Sequence, residues 1–401
     1  MGHVYGRQVF IFLMNKNLWL LILSQIFAFT AAPVTVFLSG IIGSKFSPTK
    51  SLATLPMALS VVGIALFALF AAKLMSIIGR KFGFIYASIG TCFASLLTAY
   101  SIIIESFVLY NLGCFLIGGG IAFSHQYRFA AVEVVDKDYA PKAISIILLA
   151  GIGSAFIGPN IANISKEFIS EHIYAGSYLA LAILSISSTI FLFFYQEPEK
   201  SSNNQYKTGR SFFELISQPR FLQALIASAF AYAVMTFLMT ATPISMHLME
   251  KISLSKTGFV IQLHIAAMFL PSLITGNLIK RFGHSKIMYM GVLLFLVTII
   301  TSLFEQNFTN YLIALIFLGL GWNFLFISGT SLLVLCYREE EKFRAQGYND
   351  LIVYSIQAVA SLSAGVFISL TSWKTMNLIC LIFLIIITLS TIRADYVKKK
   401  P

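Results

Sequence analysis

The chain has 401 residues, 58% of them hydrophobic and only 11% charged, with a mean hydropathy of +0.83. Soluble domains carry about 25% charged residues, so a water-soluble globular protein is excluded and an integral membrane protein is expected. A net charge of +12 could suit nucleic acid, but the basic residues sit in short loops that alternate along the chain, as membrane topology signals do, so no nucleic-acid partner is expected.

Twelve apolar stretches predict spanning helices at 18–42, 52–72, 82–104, 107–127, 142–164 and 173–195, then 219–246, 257–279, 287–304, 310–335, 347–370 and 375–394. Each approaches or exceeds the roughly 20 residues that a bilayer requires. The first run is too long for the apolar core of a cleavable signal, so it is expected to remain as span 1. Between spans 6 and 7 lies the longest hydrophilic stretch, Gln196 to Gln218. It is rich in Ser, Asn and Lys and reads as a flexible linker with one amphipathic turn near Phe212-Phe213. Span 8 is the most telling segment. It starts polar at Ser255-Lys256, stays apolar to Ile279 apart from Gln262, His264 and Asn277, and stops at Lys280-Arg281 and Gly283.

With the N-terminus inside, 22 Lys and Arg residues fall on the cytoplasmic side and six outside (Lys45, Lys50, Lys166, Lys251, Lys256 and Lys374). Both termini are therefore expected in the cytoplasm. The four cysteines, Cys92, Cys114, Cys336 and Cys380, lie within apolar runs and read as packing residues. The six histidines are scattered without metal-ligand spacing, and no nucleotide-binding loop appears, so neither metal nor cofactor is expected.

The two halves repeat. Ala72 to Lys81 recurs 204 residues later at the end of span 8; Thr30-Ala31-Ala32-Pro33-Val34 recurs as Thr240-Ala241-Thr242-Pro243-Ile244; Lys142-Ala143 recurs as Arg344-Ala345. The expected organisation is all-α: two pseudo-symmetric six-helix bundles, 1–195 and 219–401, joined by a linker at 196–218. Parallel repeats of this kind are one known transporter design, with the solute held between the halves.

At this point the residues resemble the Major Facilitator Superfamily over essentially the whole chain. The family's loop between helices 2 and 3 follows G-x-L-x-D-R-x-G-R-R/K. The second-half copy reads Gly276-Asn277-Leu278-Ile279-Lys280-Arg281-Phe282-Gly283, while the first keeps Leu74, Gly79, Arg80 and Lys81. Ser76 and Ile77 stand where the family has its acidic residue and arginine, and Cys114 stands where an arginine of helix 4 often falls. Gly151-Ile152-Gly153-Ser154-Ala155-Phe156-Ile157-Gly158-Pro159 in span 5 is similar to the family's antiporter motif, departing from it at Asn160 and Ala162. Helix packing through small residues, with a proline kink at Gly158-Pro159, is the competing reading of that stretch. Further stretches, including Gln126 to Ala131, Gly321-Trp322-Asn323 and Gln346 to Asp350, resemble an uncharacterised bacterial branch of the superfamily.

His264, about seven residues into span 8 and roughly 10 Å from its outer boundary, is the candidate for proton coupling. Histidine titrates near physiological pH, although a neutral histidine bonded to a neighbouring helix fits the same position. Arg80, Arg128, Glu133, Arg281 and Asp350 are expected near the cytoplasmic mouth as gating charges, with Arg128, Glu133 and Asp350 forming salt bridges there. The acidic run Arg338 to Lys342 is expected to be a solvated loop. The resemblance implies a cavity lined by helices 1, 4, 7 and 10, with contributions from 2, 5, 8 and 11. Its candidates are Gln25, Thr30, Tyr232, Thr236, His264, Trp322, Asn323, Tyr354 and Gln357. Pro33 and Pro243 are expected to kink their helices.

These features predict a monomeric secondary transporter of the bacterial inner membrane, working by alternating access on a small organic solute. Aromatic walls with few polar anchors suit an uncharged or amphipathic molecule. Proton-driven efflux is the leading mechanism and import of a nutrient or vitamin the alternative. A polytopic membrane enzyme or sensor is the remote one, since no catalytic groups converge at one depth.

Overall fold

A computed structural model describes residues 15–49, 52, 55–198 and 209–399. The expected N-terminal segment with Arg7, residues 50, 51, 53 and 54 ahead of span 2, the middle of the linker at 199–208, and residues 400–401 lie outside the described residues.

Every described element is helical, and among the described residues twelve helices are long and apolar enough to cross a membrane. They fall into two compact units, Met1–Tyr206 and Lys207–Pro401, with six spans in each. Apolar side chains fill the buried positions and also cover much of the exterior. Large side chains such as Phe193, Leu370 and Val108 are among the most exposed, as lipid-facing residues must be. Among the mainly apolar buried positions sit many small hydroxyl residues. Along span 3, Ser88, Thr91, Ser95 and Thr98 each donate to the carbonyl four residues earlier, which satisfies the hydroxyl without a partner helix.

Small residues let backbones touch. A methyl group on Gly118 of span 4 would lie 2.0 Å from the Ser60 carbonyl oxygen, and one on Gly63 of span 2 would lie 2.2 Å from that of Phe115. Spans 2 and 4 therefore cross at backbone contact.

Several spans are broken where backbone chemistry requires it. Span 1 consists of Lys16–Ala28 and Ala31–Phe46. Pro33 has no N–H for the carbonyl of Phe29 and crowds it, so the helix opens at Phe29-Thr30, as the expected kink requires. Gly158 of span 5 packs on this break, its missing methyl position lying 3.2 Å from the Thr30 carbonyl and from Pro33 Cγ. The helix of span 5 runs uninterrupted through Pro159 itself; its break comes at Leu149, between Ala140–Leu148 and Ala150–Ser165. Span 7 is α-helical over Pro219–Pro243, then widens into a π-helix, Ile244–Met249, directly after the proline. Span 8 is not one helix but two, Leu254–Phe269 and Ser272–Phe282, separated at Leu270-Pro271.

The turns between spans 2 and 3 and between spans 8 and 9 match closely. Gly79 and Gly283 have φ of +87° and +86°, a region that penalises any side chain, and each starts the next helix. Sequence expectation placed the ends of spans 4 and 11 too narrowly. Span 4 continues as Tyr127–Glu133 after a break at His125-Gln126, and span 11 begins at Lys342, five residues before the expected start.

Candidate functional site

In the first unit the turn after span 2 builds a charged cluster. Gly79 allows the sharp reversal, and Arg80, at the first position of span 3, is fully buried. Its Nη2 lies 2.7 Å from Glu133 Oε1, its Nε donates to both Glu133 oxygens at 3.3 Å, and its Nη1 donates to Gln126 Oε1 at 3.0 Å. Glu133, expected among the gating charges with Arg128 and Asp350, pairs with Arg80 in its own unit. A second carboxylate, Glu197, accepts from the backbone N–H groups of Arg80 and Lys81 at 2.8 and 3.2 Å, where the helix N-terminus attracts negative charge. Burial, together with Glu133 and Glu197 nearby, pushes the Tyr195 hydroxyl well above its ordinary range.

Arg128 is 2% exposed, with its guanidinium over the Phe129 ring at 4.7 Å. It lies inside the lengthened span 4 rather than at its end. Asp350 is fully buried in span 11, accepting from Asn349 Nδ2 at 2.9 Å. Arg281 is exposed over the Phe282 ring at 5.2 Å and has no ion pair among the described residues, so it does not reproduce Arg80. The 204-residue repeat places His284 opposite Arg80. The second unit builds a different cluster near the start of span 9: Arg220 pairs with Asp395 at 3.2 Å, and Ser285 bonds both.

Glu341 overturns the expectation of a solvated acidic run. It is fully buried and accepts from Arg210 N–H, Nε and Nη2 at 2.8, 2.9 and 2.6 Å and from the Arg338 N–H at 2.9 Å. Arg344 in turn donates to the Arg210 carbonyl. The expected amphipathic turn follows directly as helix Phe212–Ser217, with a capping box formed by Ser211 and Glu214. This end of the linker is therefore fixed to the second unit rather than flexible.

The solute-contact candidates of the second unit separate into two groups. Tyr232 (span 7), Trp322 (span 10) and Tyr354 (span 11) come together in one aromatic cluster. Tyr232 meets Trp322 edge-on at 5.3 Å and Tyr354 at 5.6 Å, and Trp322 stacks on Phe326 at 4.9 Å. Phe269 adds an edge at 6.0 Å. Sequence reasoning missed Phe326 and Phe269. Phe326 was within reach, because it lies one turn after Trp322 and so on the same helix face. Thr236, 8% exposed, lies one turn beyond Tyr232. Gln357 lies about one turn beyond Tyr354, and its buried Oε1 has no hydrogen-bond partner.

Asn323 and His264 instead join spans 8 and 10. The break at Pro271 frees carbonyls, and Asn323 Nδ2 donates to that of Met268 at 2.7 Å and to Ser272 Oγ at 2.8 Å, while its Oδ1 accepts from Thr275 at 2.7 Å. Both ends of the amide are thus engaged inside the bundle. Asn323→Leu is expected to destabilise the protein by about 2–3 kcal/mol, because the buried Met268 carbonyl and Ser272 hydroxyl lose the amide donor, while Thr275 keeps its bond to the Pro271 carbonyl. A melting temperature equal to wild type would contradict this role. His264, 1% exposed, donates from Nδ1 to the Leu315 carbonyl at 2.8 Å, which leaves Nε2 buried without a partner.

In the first unit Thr30 is fully buried and donates to the Phe27 carbonyl at 2.6 Å, helping to satisfy the broken helix. Gln25 is 5% exposed with its Oε1 unpartnered. A narrow cavity in the same unit, lined by Phe84, Ser88, Thr91, Ser124 and Tyr127 among others, contains none of the expected site residues.

Comparison with known proteins fits this architecture. The chain is 34% identical over 365 residues to the riboflavin transporter RfnT of Brucella anthropi, covering 90% of this chain and 92% of that one. It is 26% identical to the uncharacterized MFS-type transporter YddS of Bacillus subtilis, over 91% and 88% of the two chains. Among solved structures, the transporter FucP in its outward conformation superposes with a TM-score of 0.72 at 15% identity, covering 96% of this chain and 99% of that one. A bacterial homologue of the iron transporter ferroportin, in its outward-facing state, gives 0.71 at 11% identity, over 94% and 99%. At such identities these two structures speak for the fold alone. The model of the Major Facilitator Superfamily matches residues 18–249 and 224–401. Matches of this length, to the family model and to full-length relatives alike, mean that the chain belongs to the Major Facilitator Superfamily, and so to the membrane transporters rather than the enzymes.

Proposed function

We propose that this protein moves riboflavin, or a flat heteroaromatic solute closely like it, across the bacterial cytoplasmic membrane by alternating access, as a monomer with both termini in the cytoplasm. The observation that carries the reading is the 34% identity to a riboflavin transporter along 90% of the chain. The Tyr232, Trp322, Phe326 and Tyr354 cluster supports it chemically, because a broad π-system gains most from offset and edge-on contact with other rings.

Purified protein in liposomes should take up labelled riboflavin saturably and above protein-free liposomes; absence of such flux would end the reading. The same assay reads direction and coupling. The glycine-rich stretch ending at Gly158-Pro159 favours proton-driven efflux, so accumulation in everted vesicles should collapse with an uncoupler. Under that coupling His264 is the proton-carrying residue, with Nε2 as the open position, and His264→Ala should abolish the uncoupler response. Accumulation in right-side-out vesicles would instead assign uptake, and flux insensitive to uncoupler would assign facilitated diffusion.

A further inference from the structure

Buried tryptophan indoles nearly always engage their N–H, because an apolar environment leaves an unpaired donor costly. The protein has three tryptophans, and the two deeply buried ones differ in this respect. Trp373, 2% exposed, donates from Nε1 to Thr242 Oγ1 at 3.1 Å. Trp322, 1% exposed, has a buried Nε1 with no hydrogen-bond partner. Its neighbours explain why. Phe326 covers an indole face in a stack inclined by only 18°, while Tyr232 and Phe269 approach at 90° and 82°. Rings hold the side chain, and none of the three contacts gives the N–H an in-plane acceptor.

We propose that the Trp322 indole N–H is the substrate's specificity-determining donor: it hydrogen-bonds an in-plane carbonyl oxygen or imine nitrogen on the edge of a flat heterocycle whose face is packed by the surrounding rings. The inference rests on the flavin reading above and sharpens it, since an isoalloxazine ring carries such acceptors along one edge. A flat hydrocarbon of equal area lacks them and would leave the donor unpaired. Sites built around a polar group discriminate in this manner against analogues that cannot satisfy it.

The test measures riboflavin affinity of the purified protein by equilibrium dialysis, for wild type, Trp322→Phe and Trp373→Phe. Trp322→Phe keeps an aromatic ring and removes the donor, so its Kd should rise about tenfold. Trp373→Phe loses a bond internal to the fold, so it should lower the melting temperature and leave Kd unchanged. If Trp322→Phe does not fold, wild-type protein labelled with ¹⁵N at the indole nitrogens gives a second reading. Saturating riboflavin should move the Trp322 N–H resonance downfield. Riboflavin binding by wild type with an unchanged Kd in Trp322→Phe, or with an unmoved Trp322 resonance, overturns the donor role and leaves flavin transport standing. No riboflavin binding by wild type overturns both.

Discussion

Gly118→Ala should prevent the first bundle from assembling, read as loss of the monodisperse peak in size-exclusion chromatography of the detergent-solubilised protein. The added methyl would lie 2.0 Å from the Ser60 carbonyl oxygen and 2.8 Å from its carbon, and Gly63 on the facing helix meets the Phe115 carbonyl in the same manner. Overpacking usually costs about 1–3 kcal/mol where side chains can shift. Here both walls are backbone, so the helices themselves would have to separate, and the cost should exceed that range. Gly90 and Gly365 provide the controls. Nothing lies within 4 Å of a methyl group at either, so alanine there should be neutral or slightly stabilising. A Gly118→Ala protein that melts with Gly90→Ala would refute the backbone crossing.

Arg80→Ala should be the most damaging change among the charged residues, lowering stability by about 3–5 kcal/mol in a denaturation assay. The guanidinium is fully buried while the Glu133 side chain is 16% exposed, so its removal takes a bidentate donor from a carboxylate that water reaches only partly. Gln126 Oε1 would lose a donor as well. Glu133→Gln should cost less, since an amide oxygen can still accept from the arginine. If Arg80→Ala and Arg281→Ala proved equally mild, the burial of Arg80 would have no energetic meaning; Arg281, exposed in the matching loop, is expected to tolerate replacement.

The span pattern was legible because a bilayer imposes one length and one polarity on every crossing, and because basic residues mark the loops. The kink at Pro33 was legible for a similarly local reason, the missing N–H. The break at Pro271 follows the same rule but was hidden inside a continuous apolar run. What hydropathy could not carry was pairing. Glu341 sits in a run of three glutamates, two of them exposed and one fully buried, and only the position of Arg210, 131 residues away, tells them apart. Asn323 was named a solute contact because a mid-membrane amide invites that reading; its bonds to the Met268 carbonyl and to the Ser272 and Thr275 hydroxyls across the break at Pro271 were not legible in the sequence. Tyr232, Trp322 and Tyr354 were named one by one from depth and type, and the fold brings them together, because depth along a span is encoded locally and adjacency between spans is not.

The ends of the connecting segment bear on where this protein can be cut and recombined. Gln196 bonds Asn17 through both backbone groups and Glu197 holds the span 3 N-terminus, while from Arg210 onward the chain is fastened to Glu341 and Arg344. A chimera joined at the last residue of span 6 or the first of span 7 would therefore inherit a foreign carboxylate or guanidinium at a buried socket. Crossovers placed between 198 and 209 keep each plug with its own receptacle, and exchanges of half-transporters among relatives should succeed there and fail at the helix ends.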